Sequence, residues 1–162
     1  EISSTEAAML TAYHLLASRG DERVASIMSD TVVVIDPMQN PDGRDRFIHH
    51  FEIAEGLLPD DDRVSAEHNE PWPGGRTNHY FFDLNRDWFI QTQPETQGRV
   101  EVIQQWYPVA FVDAHEMGSD STYFFAPGAT PYNPHLTYNQ RESLEIFGKN
   151  KARWFDAFGL DD

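Results

Sequence analysis

The stretch that decides the predicted fold is Val109-Ala110-Phe111-Val112-Asp113-Ala114-His115-Glu116-Met117-Gly118. Its first six residues form a mostly apolar run, which predicts a buried β-strand. The run leads directly into His115, which places the histidine beyond the carboxyl end of the strand, where open α/β sheets bind their ligands. A ring nitrogen at that place can coordinate a metal, but a lone histidine there is also compatible with a purely structural role.

The segments around this stretch predict an α/β fold. Residues 31–35 form a continuous β-branched run, which predicts a strand buried on both faces, and residues 123–125 predict a short third strand. Apolar spacing and end signals predict helices over residues 3–18, 25–28, 44–55, 97–107 and 137–158. Ser3 and Glu6 have the spacing of a capping box, and Gly159 suits a helix C-cap. Helices that alternate with strands are typical of α/β proteins.

Composition restricts the partners and the chemistry. Twelve basic residues stand against 27 acidic ones, which gives a formal net charge of −15 and makes nucleic acid a poor partner. The chain has no cysteine, so any metal must be held by His, Asp or Glu. It contains no apolar run of 18 residues, so no membrane span is predicted.

Two further segments carry candidate chemistry. In Asp83-Leu84-Asn85-Arg86-Asp87-Trp88, the arginine supplies a planar two-pronged donor and the asparagine an amide, a combination that can hold a carboxylate. The same pattern also suits a salt-bridged surface loop. Asn40-Pro41-Asp42-Gly43 follows the first predicted strand and favours a turn whatever the function. Residues 56–78 predict a long surface loop, because they carry Pro, Gly and a run of acids.

In their order along the chain, these segments resemble the zinc carboxypeptidase family of carboxypeptidase A type. The resemblance covers nearly the whole chain, and the stretch from His115 to Pro127 looks most like bacterial members. It implies a mixed, mostly parallel central sheet flanked by helices on both faces, incomplete at both ends. Residues 1–162 would then be part of a single zinc carboxypeptidase-like catalytic domain.

The resemblance also implies a zinc site. The family binds zinc through a His-x-x-Glu pair and a later histidine. His115 matches the later histidine, and Glu1 matches the glutamate of the pair, whose histidine would lie three residues upstream. Glu1 could instead be only a trimmed terminus. The family's general-base glutamate is expected outside this chain, so the chain by itself is expected to bind zinc poorly and to catalyse nothing.

The substrate residues follow from the same resemblance. Asn85 and Arg86 match the pair that binds the terminal carboxylate of the substrate. Arg76 matches the arginine that polarises the scissile carbonyl, and Asp83 matches the acid that orients the upstream zinc histidine.

The function that the resemblance implies is a zinc metallocarboxypeptidase. It would hydrolyse C-terminal bonds of peptides or proteins with metal-activated water, and the resemblance favours a periplasmic or secreted location. Two alternatives stay open. One is a zinc-dependent N-acyl amino acid deacylase, a related group that also shows an Asp-Leu-Asn-Arg segment. The other is a catalytically inactive binding module on the same fold.

Overall fold

The structure, a computed structural model, describes residues 2–118 and 121–160. Within these ranges the chain forms the α-helices α1 (Ile2–Ala17), α2 (Glu22–Asp30), α3 (Pro41–Ala54), α4 (Pro94–Trp106) and α5 (Tyr138–Phe158). Two short 3-10 helices cover Ala66–His68 and Leu84–Arg86. The chain divides into two compact units, Glu1–Glu116 and Met117–Asp162. No helix in the described ranges is long and apolar enough to cross a membrane.

Local capping chemistry sets the ends of these helices. The carboxylate of Asp21 accepts hydrogen bonds from the N–H groups of Arg23 and Val24 at the start of α2. Asn40 caps α3 in the same way, and Pro41 occupies the first turn, where its missing N–H costs nothing. Thr137 and Gln140 form a reciprocal capping box at α5. The five predicted helices are therefore confirmed, with shifts of a few residues at their ends.

The ends of α1 and α5 test two capping predictions. Gly159 follows α5 with φ 65°, the left-handed conformation predicted for it. The predicted capping box of Ser3 and Glu6 is wrong, because α1 begins at Ile2 and Ser3 already lies in its first turn. Glu6 instead pairs with Arg44 of α3, with 2.5 Å between Oε1 and Nη2.

The predicted α/β fold with a mixed, mostly parallel central sheet is wrong for the described residues. About half of the chain is helical, and the β-bridge between Thr77 and Asp83 is the single strand-like pairing in the described ranges. The runs 32–35, 109–114 and 123–125 have β-branched and aromatic side chains, but β-propensity needs a neighbouring strand to become a ladder. No backbone hydrogen bond pairs these three runs with any other described segment.

The apolar side chains of these runs are accordingly exposed. Val32 is 69% exposed and Val112 is 73% exposed, whereas a strand inside a parallel sheet would be covered on both faces. Among the described residues only two large apolar side chains are buried, those of Val24 and Leu84, each 5% exposed. Specific polar contacts therefore carry much of the order in the first unit.

Arg46 makes the densest of these contacts. From α3 its guanidinium donates to the carbonyl oxygens of Gly74 (2.7 Å), Thr77 (2.9 Å) and Asn78 (2.7 Å), and to the Thr77 hydroxyl (2.9 Å). The Asn40 amide donates to the carbonyls of Gly75 (3.2 Å) and Thr77 (3.0 Å). These bonds fix residues 74–78 against the first half of α3.

Residues 56–78, predicted as a long loop, carry the 3-10 helix Ala66–His68 and no α-helix. Their last residues are tightly fitted, because a Cβ on Gly43 would collide with the carbonyl of Gly75. The prediction that the whole chain is part of one catalytic domain stays a prediction.

In the second unit α5 packs on the segment 123–127. The ring of Phe155 meets the rings of Tyr123 and Phe125 edge to face, with centroids 4.5 Å and 5.1 Å apart. Gly148 precedes Phe155 by about two turns on the same face of α5. It is buried, and a Cβ there would overlap the carbonyl of Ala126. The glycine thus allows the helix backbone to approach the segment closely.

We expect Gly148→Ala to destabilise the second unit by about 1–3 kcal/mol, because the added methyl overpacks the contact with Ala126. The matched control is Gly98→Ala, also inside a helix but with no atom within 4 Å of the new Cβ. It should stabilise the protein by about 0.5–1 kcal/mol. Urea unfolding followed by circular dichroism measures both, and equal shifts for the two variants would contradict the packing.

Candidate active site

One contact network joins three of the predicted site residues, Arg76, Asp83 and Asn85. A tight turn brings Thr77 opposite Asp83 in an antiparallel bridge. Across the base of this turn, Arg76 Nε donates to Asp83 Oδ2 at 2.9 Å. The other oxygen, Oδ1, accepts the backbone N–H of Asn85 at 2.9 Å and so caps the 3-10 helix Leu84–Arg86. Asp83 therefore holds Arg76 and the Asn85–Arg86 turn together.

This use of Asp83 differs from the one predicted for it. The prediction was that its carboxylate orients an upstream zinc histidine, whereas in the structure both oxygens are engaged by Arg76 and Asn85. A carboxylate oxygen accepts more than one hydrogen bond, so the predicted role stays a prediction.

Arg86 differs from the other arginines around it. Its side chain makes one hydrogen bond, from Nη1 to the carbonyl of Asn85 at 3.3 Å, and it forms no ion pair with an acid in the described ranges. Arg86 is exposed and Asn85 is half-buried. An exposed guanidinium without a carboxylate partner, next to an amide, is the arrangement that can accept a carboxylate from a ligand.

His115 is held through its ring. Nε2 lies 3.0 Å from Asp113 Oδ2, and a ring whose Nε2–H donates to a carboxylate carries its lone pair on Nδ1. Metal-binding histidines commonly use such a carboxylate to fix the tautomer and to raise the basicity of the ligating nitrogen. His115 therefore fits the chemistry of a zinc ligand.

The described residues provide no complete metal site. Residues 2–118 and 121–160 contain no group of three His, Asp or Glu side chains that could hold a metal ion. Glu1, the other predicted zinc ligand of this chain, lies outside the described residues. The fit to zinc thus rests on the single ligand His115 and its carboxylate partner.

Aromatic packing joins the segment before His115 to the Asp83–Trp88 segment. The rings of Trp88 and Phe111 meet edge to face with centroids 6.1 Å apart. The guanidinium of Arg99, from α4, lies over the Trp88 ring, 4.9 Å from its centroid. The structure thus brings the two predicted motifs together through Trp88.

The electrostatic surroundings of Arg99 include Asp113. Burial lowers the pKa of Arg99, and three carboxylates act in the opposite direction, those of Asp36, Asp113 and Glu95. Asp113, whose carboxylate lies beside the His115 ring, is thus one of the acids that favour the charged form of Arg99.

A buried polar frame beneath the site was missed by sequence reasoning. Asn78 is completely buried, and its Oδ1 accepts the N–H groups of Tyr80 and Phe82, each at 3.0 Å. Its Nδ2 donates to Gln93 Oε1 at 2.9 Å. The signal was present locally, because an asparagine that opens a turn commonly bonds its own backbone two residues on.

Asp87 completes this frame. Its Oδ1 accepts the N–H and hydroxyl of Thr92 (2.8 Å and 2.7 Å), and its Oδ2 accepts the N–H of Gln93 (2.9 Å). Burial on its own would raise the pKa of Asp87, but the bonds from Thr92 and Gln93 outweigh it and lower the pKa to about 2. The Thr96 hydroxyl lies close enough to add to this effect without completing a hydrogen bond of its own.

These bonds predict acid-sensitive stability. The folded pKa of Asp87, about 2, lies below the unfolded value of about 3.9, so its contribution is complete above the unfolded pKa and is lost as the pH falls through the folded one. Asp87→Asn should lower the melting temperature by several degrees at pH 7 and by progressively less between pH 5 and pH 2. Asp45→Asn, at an exposed position of α3, is the control. A constant difference between wild type and Asp87→Asn over that range would be inconsistent with the lowered pKa.

Comparison with known proteins identifies the family. The family model for zinc carboxypeptidases matches residues 1–154. No curated protein and no solved structure matches the chain. The family-level resemblance predicted from the sequence is confirmed, and it supports a zinc-dependent, carboxypeptidase-like hydrolase; the carboxypeptidase A type and the bacterial branch stay predictions. The chain belongs to the zinc carboxypeptidase family.

Proposed function

We propose that the protein is a zinc metallocarboxypeptidase of carboxypeptidase A type that hydrolyses the C-terminal bond of peptides or proteins. The observation that carries this proposal is the Arg86 guanidinium, which has no acid partner in the described ranges and stands beside Asn85 on a capped turn. Family membership supports the zinc peptidase class. A carboxylate-binding pair restricts such chemistry to the end of a peptide chain.

The turn that carries Asn85 and Arg86 is well fixed. The N–H of Arg86 donates to the carbonyl of Asp83 at 3.0 Å, and Leu84 is enclosed. With the backbone held, little conformational freedom is lost when the substrate carboxylate binds. Arg86 supplies two parallel N–H donors and Asn85 adds its amide, so the pair positions the terminal residue of the substrate without taking part in the chemistry.

Arg76 is the proposed donor to the scissile carbonyl. Because the Nε of Arg76 donates to Asp83, its two terminal nitrogens are the groups that can donate hydrogen bonds to a substrate oxygen. The side chain is 46% exposed, which leaves it accessible to a bound peptide. In this role Arg76 stabilises the negative charge that develops on the carbonyl oxygen as water attacks.

His115 and Glu1 are the proposed zinc ligands from this chain. Bound zinc supplies Lewis acidity and a water molecule of lowered pKa. Asp113 holds the His115 ring through Nε2, and with the proton on that nitrogen Nδ1 would be the atom that binds the metal. The resemblance to bacterial members supports a periplasmic or secreted location.

Arg86→Ala in the full-length protein should raise KM for peptides with a free C-terminus by roughly 10–100-fold, because a charge-assisted pair of hydrogen bonds is lost. Arg86→Lys should recover only part of this loss, since lysine has no planar fork. Arg19→Ala is the matched control, because Arg19 is exposed in the turn that follows α1. This variant should leave KM unchanged.

The choice of substrate in the same assay distinguishes the proposed exopeptidase from the N-acyl amino acid deacylase. Peptides with an amidated C-terminus should be poor substrates of the wild type. Equal turnover of free and amidated peptides would rule out the exopeptidase, and faster turnover of N-acyl amino acids than of peptides would favour the deacylase.

A further inference from the structure

Two exposed aromatic rings stand side by side in the first unit, close in sequence to the candidate site. The centroids of the Trp72 and Phe81 rings are 5.6 Å apart, and the ring planes make an angle of 32°. Trp72 is 80% exposed and Phe81 is 55% exposed, although contact with water is unfavourable for apolar surface. We call this pair the aromatic shelf. Contiguous exposed apolar surface of this kind is typical of a binding site.

The backbone that presents the Phe81 ring is strained. Phe81 has φ 66°, a left-handed conformation that bulky side chains rarely adopt. The turn keeps this conformation because the N–H of Phe81 donates to the carbonyl of Asn78 at 3.1 Å, and the N–H of Asn78 donates to the carbonyl of Phe82 at 2.9 Å. Glycine would form the same turn without strain. An aromatic side chain at this position therefore points to a function, since backbone strain is concentrated at functional sites.

Neighbouring groups hold both parts of the shelf in place. The guanidinium of Arg46 lies 5.5 Å from the centroid of the Phe81 ring, within the range of a cation–π contact. The carbonyl of Pro73, the residue after Trp72, accepts the Thr77 hydroxyl at 3.3 Å. The shelf is thus formed before any ligand binds, so little conformational freedom is lost on binding.

The shelf and the carboxylate-binding pair lie within the span of one short peptide. Phe81 precedes Asn85 by four positions, which places their Cα atoms at most about 14 Å apart. An extended peptide advances about 3.3–3.6 Å per residue. A peptide whose terminal carboxylate is held by Arg86 can therefore reach the shelf with a side chain from one of its last residues, within about four positions of its end.

We propose that the aromatic shelf binds an aromatic or large apolar side chain at the second to fourth residue from the C-terminus of the peptide. The inference rests on the proposed function, because it takes Asn85 and Arg86 as the anchor of the terminal carboxylate; it uses no residue of the zinc site. The flat faces of Trp72 and Phe81 suit another ring or a branched apolar side chain. Acidic side chains are disfavoured there, because the chain carries a net charge of −15.

Calorimetric titration of the full-length protein with non-hydrolysable peptides tests the shelf without any turnover. The peptides are rich in glycine, have a free C-terminus and carry a single phenylalanine at the second, third or fourth position from the end. The reference peptide has glycine at all three positions. The wild type should bind one of the phenylalanine peptides about 10-fold more tightly than the reference, because the added ring packs on the shelf.

Two variants each remove one ring of the shelf. Trp72→Ala and Phe81→Gly should each reduce the preference for the phenylalanine peptide to about 3-fold or less. Phe81→Gly keeps the left-handed backbone, because glycine adopts it freely. The matched control is Tyr107→Gly, which removes an aromatic side chain that is 87% exposed and also left-handed, with φ 46°. It should keep the full preference, and a general loss of folded protein would leave the ratio of the two Kd values unchanged.

The outcomes distinguish this inference from the function on which it rests. A wild-type protein that binds free-acid and amidated peptides equally would overturn the carboxylate anchor and the shelf proposal together. A wild type that prefers the free acid but binds the phenylalanine and glycine peptides equally would overturn the shelf alone. The shelf would also be overturned if Trp72→Ala kept the full preference but lost self-association in sedimentation, because the rings would then form a contact between two copies of the chain.

Discussion

The candidate site depends on the guanidinium of Arg46. Its four hydrogen bonds fix residues 74–78 to α3, and Arg76 stands in the middle of that segment. The β-bridge between Thr77 and Asp83 then holds Asp83 in place, and Asp83 caps the turn that carries Asn85 and Arg86. Buried carbonyl groups that lose their donors are costly, so this one side chain determines whether the loop keeps a single conformation.

The net charge of the chain and the local charges at the candidate site have opposite effects on the binding of a peptide carboxylate. A net charge of −15 opposes the approach of a peptide carboxylate. Screening limits this repulsion to about 8 Å at physiological ionic strength, so local cations decide what is bound. Arg76 is neutralised by Asp83, whereas Arg86 has no acid partner among the described residues. The acidic chain thus keeps one cation available at the position where a carboxylate ligand is proposed to bind.

The sequence predicted the helices because their signals are local. Asn40, Thr137 and Gly159 act on backbone groups a few residues away, and such contacts can be inferred from spacing. The predicted sheet is wrong for the opposite reason. Residues 32–35 and 109–114 have suitable side chains, but strand pairing depends on a segment that is distant in the sequence. Non-local contacts were missed in the site too, since Arg46 and Asn78 are 32 positions apart. The order of short motifs was enough to indicate the family, because each motif is continuous in sequence.

The central claim is that the Arg46 frame prepares Asn85 and Arg86 to hold a terminal carboxylate. Calorimetric titration of the zinc-loaded full-length protein with a non-hydrolysable peptide, as free acid and as amide, tests it most directly when wild type is compared with Arg46→Lys. The account predicts that the wild type binds the acid at least about 10-fold more tightly than the amide, and that Arg46→Lys, which keeps the charge but lacks the fork, loses most of this preference. An unchanged preference in Arg46→Lys would contradict it.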